Sequence, residues 1–266
     1  MFATIHNTVL VNPIFNLLAL VFQATGNLGW SIIGLTLIVK TVTIPVILPS
    51  IKSIKKQRDL QPQIDKLKKK YKYDKKKQAE KQMELMKEHG VNPASGCYTM
   101  IITILIFTAL YSVIRQITQV TDVAAINSHL YMDFLKFSSL EQLSPQFLYL
   151  DLTKPDPYYI MAALAGATQF IMAKMNMPYS EAGVKAAKKT PDKKDDIVYN
   201  MQQQSLFIMP AMMAFLGISM PSGVIIYIIT STIFSIVQNY FVNGWGGMRS
   251  VFEKVNLGKK KKKKKK

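Results

Sequence analysis

Residues 29–49 read GWSIIGLTLIVKTVTIPVILP, an apolar run of membrane-spanning length with one charge, Lys40, near its middle. A hydrocarbon core about 30 Å thick takes about 20 apolar residues in a helix. A lysine at the centre of a span costs roughly 2.5–3.5 kcal/mol, and each Leu, Ile or Val returns about 0.3–0.6. The eleven such residues here return roughly 3–7 kcal/mol, so the run inserts despite its charge. Thr36, Lys40 and Thr43 recur at helical spacing, which gives the helix one polar face. Pro45 cannot donate to the carbonyl of Thr41, leaving a backbone acceptor beside Lys40. A charge inside a span is a functional candidate by default; a lysine that merely snorkels to the interface is the bland alternative.

The 266 residues combine 49% hydrophobic composition with a net charge of +18. The apolar residues fall in long blocks and the basic ones in others, the pattern of a polytopic membrane protein and not of a soluble nucleic-acid binder. Cys97 is the single cysteine, and His6, His89 and His129 are scattered without metal-ligand spacing. No phosphate-binding glycine loop, nucleophile elbow or metalloprotease helix occurs, so nothing marks an enzyme and no cofactor is expected.

The fold class expected is all-α: five transmembrane helices around a hydrophilic groove, plus a cytosolic helical hairpin. Residues 1–28 lack Lys and Arg and place an interfacial amphipathic helix over NPIFNLLALVFQAT, in which Ile14, Leu17, Leu18 and Val21 share a face. The first span is 29–49. Residues 50–96 are a basic hairpin, with Ile64, Leu67 and Tyr71 striping one arm and Ala79, Met83 and Met86 the other across a KYDKKK turn. Spans at 97–120 and 158–175 flank a loop, 121–157, with few basic residues. On the third span Ala162, Gly166, Gln169 and Ala173 form a small-residue face suited to close helix contact. A lysine-bearing loop, 176–205, precedes a fourth span, 206–220, only about 22 Å long by helical rise. Residues 221–242 hold a turn and the fifth span, and 243–266 form a basic tail ending in the lysine run that contains Lys259, Lys260, Lys261 and Lys262. The positive-inside rule sets the N-terminus outside and the C-terminus in the cytoplasm.

Charge and irregular backbone at membrane depth persist only inside protein or beside water, so Lys40 implies a wet, cytosol-facing groove. No Asp or Glu lies within any span, and an acidic client segment or an anion is the expected ligand. The Ser, Thr and Gln residues of the spans could also serve only as glue between helices.

The chain resembles the YidC/Oxa/Alb family of membrane protein insertases over nearly its whole length. The likeness lies in GNLGWSIIGLTLIVKTVTIP at 26–45, SIKKQRDLQPQIDKLKKKYKYDKKK at 53–77 and MKEHGVNPASGC at 86–97. It continues through FTALYSVI at 107–114, LAGATQFIMAKM at 164–175, MPAMMAFLGISMPSG at 209–223 and IFSIVQNYF at 233–241. The resemblance implies a short bacterial form in the plasma membrane that inserts and helps fold membrane proteins without nucleotide hydrolysis. It implies a substrate groove lined by Lys40, Thr36, Thr43, Gln169, Tyr227 and Gln238, and a hairpin receiving clients through Lys55, Lys56, Arg58, Lys66 and Lys69. Nascent membrane proteins are the expected partners, with the ribosome or anionic lipids at Lys259–Lys262 and the Sec translocon as a further candidate. Departures exist: the family's usual Arg is Lys40, its second aromatic in the fifth helix is Ile228, and its Leu-Pro is Tyr98-Thr99. Neither the large periplasmic domain of Gram-negative members nor the lipoprotein cysteine of many Gram-positive ones is matched. A short fourth helix would thin the bilayer locally. The alternatives are a small anion channel or carrier with Lys40 as selectivity charge, and a ribosome-tethering anchor.

Overall fold

The computed structural model describes residues 7–91, 95–119, 122–139, 143–177 and 197–248, and among these it is almost wholly helical. A π-helical turn, Asn7–Val11, leads into α1, Asn12–Thr25, and then α2, Leu28–Val42, and α3, Ile44–Asp59. The hairpin arms are α4, Gln61–Lys70, and α5, Lys75–Glu88. Then come α6, Ser95–Gln119, the short α7, Val123–Asn127, and a two-stranded antiparallel ribbon, β1 Gln146–Phe147 with β2 Leu150–Asp151. Three long helices close the order: α8, Ile160–Asn176; α9, Ile197–Ser219; α10, Ser222–Asn243.

Local chemistry sets the boundaries. Gly26, at φ 64°, ends α1 with its N–H on the Phe22 carbonyl at 2.7 Å, and the Asn27 side chain accepts from Gly29 and Trp30 to start α2. The expected single helix over 29–49 is broken at Thr43. Pro45 has no N–H to give to the Thr41 carbonyl and suits a first turn, and the helix stops at Val42 and restarts at Ile44, although Pro49 is carried inside α3.

The fold comprises two compact units, Met1–Ile44 with Thr99–Gln169 and Pro210–Phe234, and Pro45–Tyr98 with Phe170–Met209 and Ser235–Lys266. The first holds the main core: Phe15 and Leu18 of α1, Ile32 and Leu35 of α2, Leu110 and Val113 of α6, Leu150 of the ribbon and Leu152 just after it, and Val224 of α10. Asn16, an interruption in the apolar pattern of α1, is buried; it donates to the His129 carbonyl and accepts from the Tyr131 N–H, tying the 122–139 segment down. The small-residue face of α8 meets α9. A Cβ on Gly217 would lie 2.6 Å from the Ala162 Cα, and one on Gly166 would lie 3.1 Å from the Ala214 Cβ.

In the second unit the hairpin has a small apolar core of Leu60, Ile64, Met86 and Val91, with Leu85 packed against it. Met83 is 44% exposed and Ala79 is exposed, contrary to the expected stripe. Three residues from Met86, Met83 is rotated about 60° from the contact line. Apolar contact gathers at the base of the hairpin, and the Gln78 side chain bridges to the Lys68 carbonyl nearer the turn.

Helix α9 has 23 residues and begins inside the expected 176–205 loop. The helix is about 34 Å long by helical rise, but its apolar part is only Leu206–Ser219.

Candidate functional site

Lys40 lies in the last turn of α2 and is half-buried. Its neighbours Leu37, Ile38 and Val42 are 42%, 38% and 70% exposed, an apolar surface that water would not favour. Thr36 is only 1% exposed, and its hydroxyl donates to the Ile32 carbonyl at 2.6 Å. It belongs to the core and cannot line an open groove. The Thr43 hydroxyl donates at 3.0 Å to the carbonyls of Val39 and Lys40. The Thr41 carbonyl left by Pro45 is reached by the Thr43 N–H. Thr108 and Thr168 likewise bond within their own helices, to Leu105 and to Leu164 and Ala165. These hydroxyls donate to carbonyls of their own helices, because the preceding-turn carbonyl is always within reach.

Gln169 is half-buried on α8. Tyr227 of α10 is 4% exposed, hydrogen-bonded to Ser231, its ring 6.1 Å from that of Phe107 on α6. Gln238 belongs to the other unit, where its amide nitrogen is buried without a hydrogen-bond partner among the described residues.

Of the basic hairpin residues, Lys56, Lys66 and Lys69 are exposed. Lys55 and Arg58 instead hold another helix. Lys55 donates to the Val242 carbonyl at 3.2 Å and Arg58 to the Asn243 carbonyl at 3.3 Å. Two cations thus sit on the carbonyl end of α10, where the helix dipole favours positive charge. Beside them Asn239 donates to Asn176 at 2.6 Å, and Asn243 donates to Asn239. Isolated lysines and asparagines in a sequence give no sign of such a ladder. Lys259–Lys262 lie outside the described residues.

The segment that joins the ribbon to α8 is tied to the start of α10. The N–H and hydroxyl of Ser222, first residue of α10, both donate to the Lys154 carbonyl at 2.8 Å, and the Gly223 N–H reaches Leu152 at 3.1 Å. Asp156, 2% exposed, accepts from the N–H groups of Tyr158 at 3.0 Å and Met161 at 2.7 Å and from the Tyr149 hydroxyl at 3.3 Å. Burial pushes its carboxyl up, but these hydrogen bonds outweigh burial and hold it below the usual carboxylate value.

Among the described residues two helical stretches, Asn7–Thr25 and Ser222–Asn243, are long and apolar enough to cross a membrane, and up to three if α2 and α3 form one broken span. Shorter apolar helices cover Ile101–Ile117 and Leu206–Ser219. Phe207, Phe215 and Phe241 are 62%, 67% and 81% exposed. Apolar helices with apolar outer faces define a helical integral membrane protein.

The model of the 60Kd inner membrane protein family matches residues 20–248, and the chain belongs to that family. A relative from Fusobacterium nucleatum subsp. nucleatum, a membrane protein insertase YidC, is 31% identical over 217 residues, covering 82% of this chain and 86% of the relative. The YidC insertase of Geobacter sulfurreducens is 30% identical over 88% of this chain, which spans only 37% of that protein. A crystal structure of an active YidC insertase with its first transmembrane domain resolved superposes with a TM-score of 0.57 at 26% identity, over 89% of this chain and 46% of that one.

Proposed function

We propose that this chain is a membrane protein insertase of the bacterial plasma membrane. It spans the bilayer five times, with the N-terminus outside and the C-terminus in the cytoplasm. It admits the hydrophilic flank of a client into a positively charged groove without nucleotide hydrolysis. The observation that carries this reading is a half-buried lysine set among exposed apolar side chains on α2, in a chain of this family. Lys40 attracts an acidic client tail and lowers its desolvation cost. Partitioning of the client's own apolar segment then drives release into lipid. Gln169 and Tyr227, in the same unit as Lys40, supply further polar groups, and Thr36 and Thr43 drop out because their hydroxyls are bonded to their own helix.

The exposed Lys56, Lys66 and Lys69 receive the nascent chain, while Lys55 and Arg58 fix the hairpin to the end of α10. The tail lysines hold the ribosome through rRNA phosphates, or anionic lipid, and the Sec translocon is a further partner. The anion channel or carrier reading gains no support from the relatives. The test is insertion of a single-span client with an acidic N-terminal tail into proteoliposomes. Lys40→Ala should lower insertion about tenfold, equivalent to about 1.4 kcal/mol, and Lys40→Arg should retain it. Equal activity in all three proteins would remove Lys40 from the mechanism.

A further inference from the structure

The extracytoplasmic segment carries exposed apolar side chains that its own core does not use. Leu148 is 77% exposed, Tyr158 69%, Tyr159 58% and Trp30 55%. They form one continuous rim. Trp30 meets Phe147 edge-on at 5.4 Å, Leu148 and Tyr149 follow in the ribbon turn, and the Tyr149 and Tyr158 rings lie 5.7 Å apart.

Two further observations mark the rim as built. Leu148, at φ 56°, and Tyr159, at φ 58°, are the non-glycine residues with left-handed backbone among those described. A two-residue hairpin turn ordinarily places Asn, Asp or Gly at such a position, and a leucine there is strained. Exposing a leucine on strained backbone is the opposite of what solubility or folding would choose. The rim is also backed by rigid structure: Asp156 grips Tyr149, Tyr158 and Met161, and Leu150 and Leu152 are fully buried behind the turn. Charge does not select its partner, since Lys154 is paired with Asp151 and Lys136 with Asp133.

Trp30 stands in the first turn of α2 and Tyr158 and Tyr159 immediately precede α8. Tyr and Trp favour the headgroup level, where an apolar ring and a polar atom are both satisfied. We propose that Trp30, Leu148, Tyr149, Tyr158 and Tyr159 seat in the headgroup–acyl boundary of the outer leaflet as a depth anchor. Lys40 lies ten residues beyond Trp30 on the same helix, about 15 Å by helical rise and so about half of a 30 Å hydrocarbon core. The anchor thereby holds Lys40 at the bilayer midplane, a consequence that rests on the insertase reading; the docking itself does not.

The test uses the full chain with Cys97→Ser and Leu148→Cys, labelled with an environment-sensitive fluorophore in symmetrical phosphatidylcholine liposomes, with Ser144→Cys as reference. Blue-shifted emission, about threefold weaker quenching by iodide than at the reference, and quenching by a shallow spin-labelled lipid are expected. Iodide quenching equal to the reference overturns the proposal, as does shielding without lipid quenching, which would assign the rim to a second copy or another protein. A second measurement keeps the native rim. With Trp245→Phe, quenching of Trp30 by shallow brominated lipid should fall by about half in Leu148→Gly/Tyr149→Ser, and unchanged quenching overturns the anchor. Symmetrical liposomes make these readouts independent of orientation and of insertion activity, so their failure is distinct from failure of the insertase reading.

Discussion

Removing the Asp156 carboxylate should loosen the segment before α8 more than any other single change in the loop. The residue is 2% exposed and accepts two backbone N–H groups and one phenol, all at 3.3 Å or less. In Asp156→Ala the start of α8 loses a cap worth about 1 kcal/mol, and buried donors lose a charged acceptor worth about 1.5–3 kcal/mol. The sum is about 3 kcal/mol, or about 10 °C in thermal unfolding of the detergent-solubilised protein. Asp156→Asn keeps one acceptor oxygen but turns an amide donor toward the other donors, and should cost about half as much. The pH dependence has a definite sign. Because the folded carboxyl is held below its ordinary value, its contribution is complete above the ordinary carboxylate pKa and is lost as pH falls through the lowered one. Below about pH 4 the native protein should lose stability more steeply than Asp156→Asn. Asp151, lowered by Thr153 and Lys154 against its burial, adds its own slope in both proteins, so the difference between the two curves is the measurement. An alanine variant within about 0.5 kcal/mol of wild type, or identical acid limbs for wild type and Asn, would refute this reasoning.

Gly217→Val should separate α8 from α9, since even a Cβ there would lie 2.6 Å from the Ala162 Cα; a loss of about 1–3 kcal/mol in thermal unfolding is expected, and no loss would show that the two helices are not packed this closely. Lys55→Ala and Arg58→Ala should each cost under about 1 kcal/mol, because Lys55 is exposed and Arg58 only half-buried, yet amide exchange near Val242 and Asn243 should quicken in both. Exchange unchanged in the double variant would mean that these cations do not hold the end of α10.

Much of the architecture was legible in the chain alone, because it depends on composition and period. Blocks of Ile, Leu and Val exclude a soluble fold, 3.6-residue spacing separates hairpin arms from turn, and the small face of α8 announces close contact at Ala162 and Gly166. Lys40 stood out because one charge in an apolar run is a local anomaly. The partners of polar side chains were not legible, because they are non-local or compete with the backbone. Thr36 shares the face of Lys40 by spacing, yet burial against the core and the nearby Ile32 carbonyl remove it from any groove. Lys55 and Arg58 look like any other basic residues of the hairpin until the end of a helix about 185 residues away is brought to them.

The amino-acid sequence by itself determined that this protein is a basic, helical membrane protein with a lysine inside one of its apolar runs, since insertion energy is summed residue by residue along the chain. Only the tertiary structure decided which polar residues are committed. Asn16 and Asp156 secure the segments before and after the ribbon, Lys55 and Arg58 cap a distant helix, and Leu148 and Tyr149 are turned outward on the ribbon. A hydrogen bond or an exposed ring depends on what the fold places within about 3 Å, and spacing along the chain does not carry that distance.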